Sequence, residues 1–382
     1  MAEGNLALPV IEMATLGPIV RDLLGEPRAV VGAKWTCEPL GGGGGEGIGL
    51  YLLTGSARVG RTAQPWSLVL KVCADHEGDP SAWNYPPRER LAYRSGALDA
   101  LPGGFAVPRC LAVELRPEKT SWLWLEVVND ESAGPWPLER FIFAARRLGR
   151  FNGAYLAGTP LPDQSWLSRR WLRGFIEPSA AAVDELNHLS DGPPELLRLY
   201  PQPVVAGLRS LWGERELFLG ALDRLPRTFC HHDAFRRNLL TRAGPQGVEL
   251  VALDWAYAGD GAVGEELAAL VVGSLVFFEA DGCDPHELEA ACFGAYNAGL
   301  GEAGWEGNER FARLGFTASA ALRYTVGTHR LMLEGIATPA EYPLLESLLN
   351  RPIREIVEGW ARLWTFQFEL ADEARALIPL TI

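Results

Sequence analysis

Hydrophobic and polar positions change their period partway along the chain. In the first third, apolar residues fall in short runs of strand length at Lys34–Pro39, Ile48–Thr54, Trp66–Ala74, Arg109–Leu115 and Ser121–Val128. A short helix and turn are expected at residues 14 to 30. One helix, Arg88–Leu98, interrupts the strands, with Leu91, Ala92, Ser95 and Leu98 at helical spacing. After Pro137 the period becomes helical, and Leu138, Phe141, Ile142, Ala145, Leu148, Phe151 and Tyr155 form one apolar stripe that belongs in the core. Further helices are expected near Trp166–Phe175, Ser179–Leu189, Pro194–Leu225, Gly264–Phe278, Asp284–Gly299, Asn308–Leu333 and Tyr342–Ala376. The exception is residues 228 to 253, where the apolar runs Thr228–Cys230, Leu239-Leu240 and Val248–Leu253 read as strands with a hairpin through Arg242–Gly247. The polar segment Asn129-Asp-Glu-Ser-Ala-Gly-Pro is the best boundary in the sequence. It separates a region 1–128 from a region 129–382. The pattern is α+β: a small antiparallel sheet with one helix, followed by a mostly helical part.

The strand-like exception also carries the chemistry. Within it stands His231-x-Asp233-x(4)-Asn238, and sixteen residues further on comes Asp254 at the end of an apolar strand. This is the spacing of a kinase catalytic loop followed by a metal-binding aspartate. One carboxylate, Asp233, serves as base and orienter beside a hydroxyl nucleophile. An amide oxygen, Asn238, and a second carboxylate, Asp254, hold Mg²⁺ on nucleotide phosphates. Chance alone produces the loop pattern in about one chain of this composition in a hundred. The competing reading is a polar turn between two strands. Arg237 either reaches the transferred phosphoryl group or is a solvated loop arginine. His231 reads as a structural residue of the loop, and His329 as a satisfied core histidine.

Upstream, the glycine run 41–45 and Gly47 separate two strands, and one register, Gly42-x-Gly44-x-x-Gly47, fits G-x-G-x-x-G. A strand rather than a helix follows, so the hairpin tip can lie over a phosphate chain and a Rossmann reading is disfavoured. Lys71 stands inside the apolar run Trp66–Ala74. It is either an edge-strand lysine facing water or, beside the catalytic loop, the lysine that contacts nucleotide phosphates. Glu89 opens the Arg88–Leu98 helix, where a carboxylate is also favoured by the helix dipole. Arg88 and Arg90 beside it read as surface residues.

These stretches resemble the aminoglycoside phosphotransferase and choline kinase family, small-molecule kinases with a protein-kinase-like fold. The resemblance rests on the catalytic loop, on Leu253-Asp254-Trp255, and on the following Gly-rich turn with Gly264-Glu265-Glu266-Leu267. It implies a two-lobed fold, with Glu89 as the partner of Lys71. It also implies a hinge at the end of the last N-lobe strand, where backbone groups of Glu126 and Val128 bond adenine. Glu265 or Glu266 takes the place of a family aspartate, unless it is simply a helix-start carboxylate. The sequence departs from the family at Phe235, where histidine is frequent. Asp254-Trp-Ala replaces Asp-Phe-Gly and no Ala-Pro-Glu segment follows, which points away from protein kinases. The implied activity is ATP- or GTP-dependent, Mg²⁺-dependent phosphorylation of a hydroxyl on a small molecule such as an aminoglycoside-like antibiotic, an amino alcohol or a sugar.

Composition narrows the partners. With 382 residues, 48% hydrophobic and 22% charged, the chain has ample core for two lobes. A net charge of −13 argues against a nucleic-acid partner. Cys37, Cys73, Cys110, Cys230, Cys283 and Cys292 form no C-x-x-C pair and read as reduced thiols of a cytoplasmic protein. The N-terminus has no basic n-region, and the strongly apolar stretch Leu267–Phe278 is too short to span a bilayer. A nucleotide-binding pseudokinase without turnover is the alternative, disfavoured because Lys71, Asp233, Asn238 and Asp254 are all present. A metal-dependent hydrolase lacks a ligand cluster at metal-site spacing.

Overall fold

Alternation along the N-terminal strands determines how the first lobe packs. The computed structural model describes residues 8–40, 47–130, 134–189, 192–244 and 247–380. Strands β1 (Val30–Pro39), β2 (Gly47–Val59) and β3 (Thr62–Ala74) are followed by the two-residue β4 (Phe105–Ala106), then β5 (Cys110–Arg116) and β6 (Thr120–Glu126). Five of them form one antiparallel sheet in the order β1-β2-β3-β6-β5. On β3, Leu68, Leu70 and Val72 pack with Leu16, Ile19 and Val20 of the helix Met13–Leu24. A period of two then sends Val69, Lys71 and Cys73 to the opposite face, where Cys73 meets Leu123, Leu125 and Tyr93. Each fully buried leucine or valine here contributes roughly 1.5–3 kcal/mol.

The rest is helical apart from two small sheets. Strands β7 (Arg227–Cys230) and β10 (Gly259–Ala262) pair antiparallel, as do β8 (Leu239–Gly244) and β9 (Gly247–Ala252). β4 lies parallel to β9, with Phe105 opposite Leu250 and Ala106 opposite Val251. A strand from between the sheet's own elements is thus stitched into the second lobe. Among the helices, Leu138–Leu156 and Pro285–Glu302 pack side by side at small residues: Gly149 and Gly153 abut Tyr296 and Leu300, and a Cβ on Gly149 would lie 2.1 Å from the Tyr296 carbonyl oxygen. The expected helix near Pro194–Leu225 breaks at Tyr200-Pro201, where a proline cannot continue it. The C-terminal one breaks at Asn350, which takes a left-handed φ of 51°, followed by Pro352. The expected Trp166–Phe175 helix starts only at Trp171, because Ser168 bridges to Gly259 of β10. The helix beginning at Glu309 contains an eight-residue π-wound segment, Ala320–Gly327, before continuing to Ala337. No described helix is long and apolar enough to cross a membrane.

Two sequence expectations need correction. Arg88 is not on the surface: it is fully buried. Arg90 is mostly buried and ion-paired with Asp75.

Candidate active site

Lys71 of the sheet sits among carboxylates of two other segments. Its Nζ lies 2.6 Å from Glu89 Oε2 and 3.0 Å from Asp254 Oδ1. Burial works against the ammonium, but Asp254 and Glu89 outweigh it and hold the Lys71 pKa well above the ordinary lysine value. The edge-strand reading of Lys71 is therefore wrong. The helix carrying Glu89 runs from Arg88 to Arg94 and buries the carboxylate, which rules out a surface residue serving the helix dipole alone. Cys73, two residues on from Lys71, also contacts Glu89 through Sγ at 3.8 Å.

Asp254 reaches Lys71 because β9 ends beside the 231–238 loop: the Leu253 N–H donates to the Asn238 carbonyl at 2.8 Å. Beyond it, Trp255 is fully buried, stacks on Phe229 and meets the His231 ring edge-on at 4.6 Å. Asp254 takes a left-handed φ of 61°, and His232 one of 64°. Such conformations cost of order 1–3 kcal/mol each and persist where the surroundings over-determine them. Burial raises the Asp254 pKa, but the Lys71 ammonium outweighs it, and the net shift is downward.

The loop itself is held from below. Glu266 Oε1 accepts the backbone N–H groups of His231 and of His232, the latter at 3.1 Å, and Oε2 accepts Asn152 Nδ2 at 3.0 Å. Asn152 also donates to the Phe229 carbonyl at 3.0 Å and accepts the Tyr296 hydroxyl at 2.7 Å. Burial pushes Glu266 up to about 7, although three N–H groups pull the other way. Of the two glutamates, Glu266 therefore braces the 231–238 loop, whereas Glu265 accepts the Ala262 N–H at 2.9 Å. His231 donates Nε2–H to the Leu253 carbonyl at 2.7 Å and accepts the Asp233 N–H on Nδ1 at 3.1 Å. Burial lowers its pKa to about 4, so it is a neutral strut, as expected.

Asp233 sits on this platform, mostly buried. Asn238 Nδ2 donates to its backbone carbonyl and to Oδ2, both at 2.9 Å. Arg323 Nη2 lies 3.0 Å from Oδ1, while Nη1 donates to the His232 carbonyl. Burial pushes Asp233 up to about 6, against the pull of Arg323. Arg323 was not found in the sequence. Its guanidinium is wedged over Trp171 at 4.2 Å and beside Phe235 at 5.2 Å. The available signal was a lone arginine in the apolar helical run 316–326, the same anomaly that singled out Lys71. Arg237, by contrast, lies over Phe277 at 4.5 Å with Nε 3.4 Å from Glu279. The arginine set against Asp233 is Arg323 rather than Arg237.

Other sequence candidates are placed less centrally. Gly42 and Gly44 lie outside the described residues. Gly47 opens β2 opposite Cys73, with a bulge between Gly47 and Gly49. Glu126 ends β6; its N–H donates to the Arg109 carbonyl at 3.0 Å, and its carboxylate accepts the Arg109 N–H at 2.9 Å and pairs with Arg242 at 2.6 Å. Val128 lies two residues beyond the strand.

Solved structures share this architecture. An aminoglycoside phosphotransferase from Alicyclobacillus acidocaldarius subsp. acidocaldarius DSM 446 superposes with a TM-score of 0.51 at 14% identity, covering 96% of this chain and 97% of that one. A microcompartment-associated aminopropanol kinase gives 0.51 at 14% identity over 92% of this chain and 97% of the other. An amicoumacin kinase in complex with AMP-PNP, Ca²⁺ and Ami gives 0.50 at 14% identity over 84% and 88%. No family model matches the sequence, and no curated protein matches it. The chain shares the two-lobed α+β fold of these structures.

Proposed function

We propose that the protein is a small-molecule kinase that transfers the γ-phosphoryl group of ATP or GTP to a hydroxyl of a small acceptor. The observation that carries this reading is the continuity of the site. Glu89, Lys71 and Asp254 form one chain of ion pairs, and Asp254 is joined through the Leu253–Asn238 backbone bond to Asp233. A purely structural set of charges has no need to bring phosphate-, metal- and hydroxyl-directed groups to one cleft.

Lys71 would contact the nucleotide phosphates, held in place by Glu89. Residues 1–128 would form the nucleotide lobe and 129–382 the acceptor lobe. The Glu126 N–H is already bonded to Arg109, so its bond to adenine would come from the carbonyl, with Val128 supplying its N–H. The donor set fits Mg²⁺: one carboxylate, Asp254, and one amide oxygen, Asn238 Oδ1, since Asn238 Nδ2 is turned to Asp233. Among the described residues no group of three or more His, Cys, Asp or Glu side chains could hold a metal alone, so nucleotide phosphates and water would complete the shell. When bound, the ion would neutralise charge on the phosphates.

Asp233 would accept the acceptor's proton as the acceptor oxygen–phosphorus bond forms and the bond to the β-phosphate oxygen breaks, releasing the nucleoside diphosphate. Each carboxylate oxygen has a lone pair beyond those used by Arg323 and Asn238. The work is chiefly positioning, because the transition state of phosphoryl transfer is loose. Two residues after Asp233, Phe235 packs edge-on against Phe277 and Tyr324. Aminoglycosides, amino alcohols and sugars are the first acceptors to screen. The test is calorimetry with ATP and GTP, with and without Mg²⁺, followed by acceptor-dependent release of the diphosphate. Absence of binding at millimolar nucleotide with Mg²⁺ ends the proposal.

A further inference from the structure

Arg88 precedes the glutamate that pairs with Lys71, and its side chain is fully buried. It donates to at least five backbone carbonyls. Nε bonds Trp166 at 2.9 Å; Nη1 bonds Trp83 at 2.8 Å and Ala256 at 3.1 Å; Nη2 bonds Pro80 at 3.1 Å and also Ala82. Pro80, Ala82 and Trp83 belong to the loop leading into the helix. Trp166 and Ala256 belong to the other lobe, and Ala256 is two residues past Asp254. The planar fork of arginine suits this multidentate task, which an ammonium on a flexible stem cannot match. The loop is seated further by Trp83, stacked on Tyr257 at 5.7 Å and edge-on to Phe175 at 5.4 Å. On the far side of the Glu89 helix, β4 is paired to β9 of the second lobe. The helix is therefore tied to the second lobe on both sides.

We propose that Arg88 is a positioning residue: it locks the Glu89 helix against the Asp254 segment, so that the Glu89–Lys71–Asp254 chain is assembled before nucleotide arrives and is not gated by movement of that helix. This rests on the reading of Lys71 as the nucleotide-directed lysine, but the lock itself can be tested without nucleotide.

Hydrogen exchange on the wild-type protein is the first measurement. Amides of residues 88–94 are expected to be slowed by about a hundredfold or more relative to an unstructured peptide in the nucleotide-free protein, and to change by less than about threefold on adding Mg²⁺ and AMP-PNP. Near-unstructured exchange in the nucleotide-free protein, or protection that arises only with nucleotide, overturns the proposal. The second measurement is a double-mutant cycle of Arg88→Lys and Glu89→Gln, read as ATP affinity. Glu89→Gln should weaken binding by about tenfold in the native background but by less than about twofold in the Arg88→Lys background, because the glutamate no longer reaches Lys71. Effects that multiply mean that Arg88 acts only on general stability, and they overturn the positioning role. If Arg88→Lys does not fold, the exchange result on the native chain decides. A wild-type protein that binds no nucleotide refutes the kinase reading, while the exchange of its helix still tests the lock.

Discussion

Asp233→Asn removes one charge and almost no volume, and the structure allows its consequences to be worked out separately for stability and turnover. Both carboxylate oxygens face donors: Oδ1 meets Arg323 at 3.0 Å and Oδ2 meets Asn238 at 2.9 Å. An asparagine has one oxygen, so in either orientation its NH₂ group confronts an N–H donor. One charge-assisted hydrogen bond is lost, at a cost of about 1.5–3 kcal/mol. Relief of the carboxylate's own burial, which lifts Asp233 to about 6, offsets part of this. The expected net destabilisation is about 1–2 kcal/mol, measurable by urea unfolding. Asn238 keeps its second bond to the Asp233 backbone carbonyl, so its oxygen should stay aimed at the metal and ATP affinity should change by less than about threefold. Turnover should fall by roughly a hundredfold or more, the scale of lost general-base and positioning function. Affinity is read by calorimetry with Mg·ATP, and turnover by diphosphate release with an identified acceptor or by background hydrolysis. Wild-type turnover would remove Asp233 from the chemistry. Loss of ATP affinity together with turnover would mean that Asp233 and Asp254 have exchanged roles.

Three further outcomes are expected. Asp254→Asn, chosen because asparagine tolerates the left-handed φ that alanine would resist, should abolish the Mg²⁺ dependence of nucleotide binding while Lys71 keeps Glu89; a large fall in melting temperature without nucleotide would make Asp254 a structural carboxylate instead. Arg323→Met strips Asp233 of its buried cation and should cost about 2–4 kcal/mol and at least tenfold in turnover, with Arg323→Lys intermediate; turnover within twofold of wild type would show that Arg323 only fills space. His329→Gln tests the pH dependence of stability. Burial lowers the His329 pKa from 6.5 to about 4, so between those values the unfolded chain binds more protons. Its contribution, up to about 3 kcal/mol, is present above pH 6.5 and lost as pH falls through 4. The stability gap between wild type and His329→Gln should therefore narrow on acidification, and a gap that widens would mean the native histidine is charged.

The Lys71–Asp233–Asn238–Asp254 part of the site was legible because its groups sit on short, locally constrained segments. Asp233, Asn238 and Asp254 lie within one loop and one hairpin, so their spacing alone brings them together. Lys71 betrayed itself as a charge in an apolar strand. The sheet followed for the same reason, since a period of two over seven residues needs no knowledge of partners. What escaped depends on contacts between distant helices. Arg323 reaches Asp233 from ninety residues away, and only the packing of Trp171 and Phe235 around it shows which way it points. Nothing local marks Asn152, because the Glu266 it serves is over a hundred residues distant. Arg88 was misread as surface because a first-turn arginine beside Glu89 resembles ordinary solvated helix chemistry. Its one warning was electrostatic: a cation at a helix N-terminus opposes the dipole, and a residue so placed needs another reason to be there. The strand β4 is only two residues long and leaves no periodic trace at all.

The π-wound segment Ala320–Gly327 makes this site unusually intolerant of a change in chain length. In an α-helix each residue turns the chain by about 100°, and a π turn accommodates one residue more than the α ladder would. Arg323 lies inside that segment, with Tyr324 immediately after it and His329 just beyond. Dropping a single residue between Ala320 and Gly327 would let the wide turns relax to α geometry, leaving the downstream helix near its present phase but moving the residues inside the segment around the axis. His329 would keep Tyr200, whereas a shift of the arginine would take it from Asp233, although Asp233 itself had not been altered. Among homologous chains, a one-residue gap here would separate proteins that hold the Asp233 carboxylate by an arginine from those that must hold it by some other means.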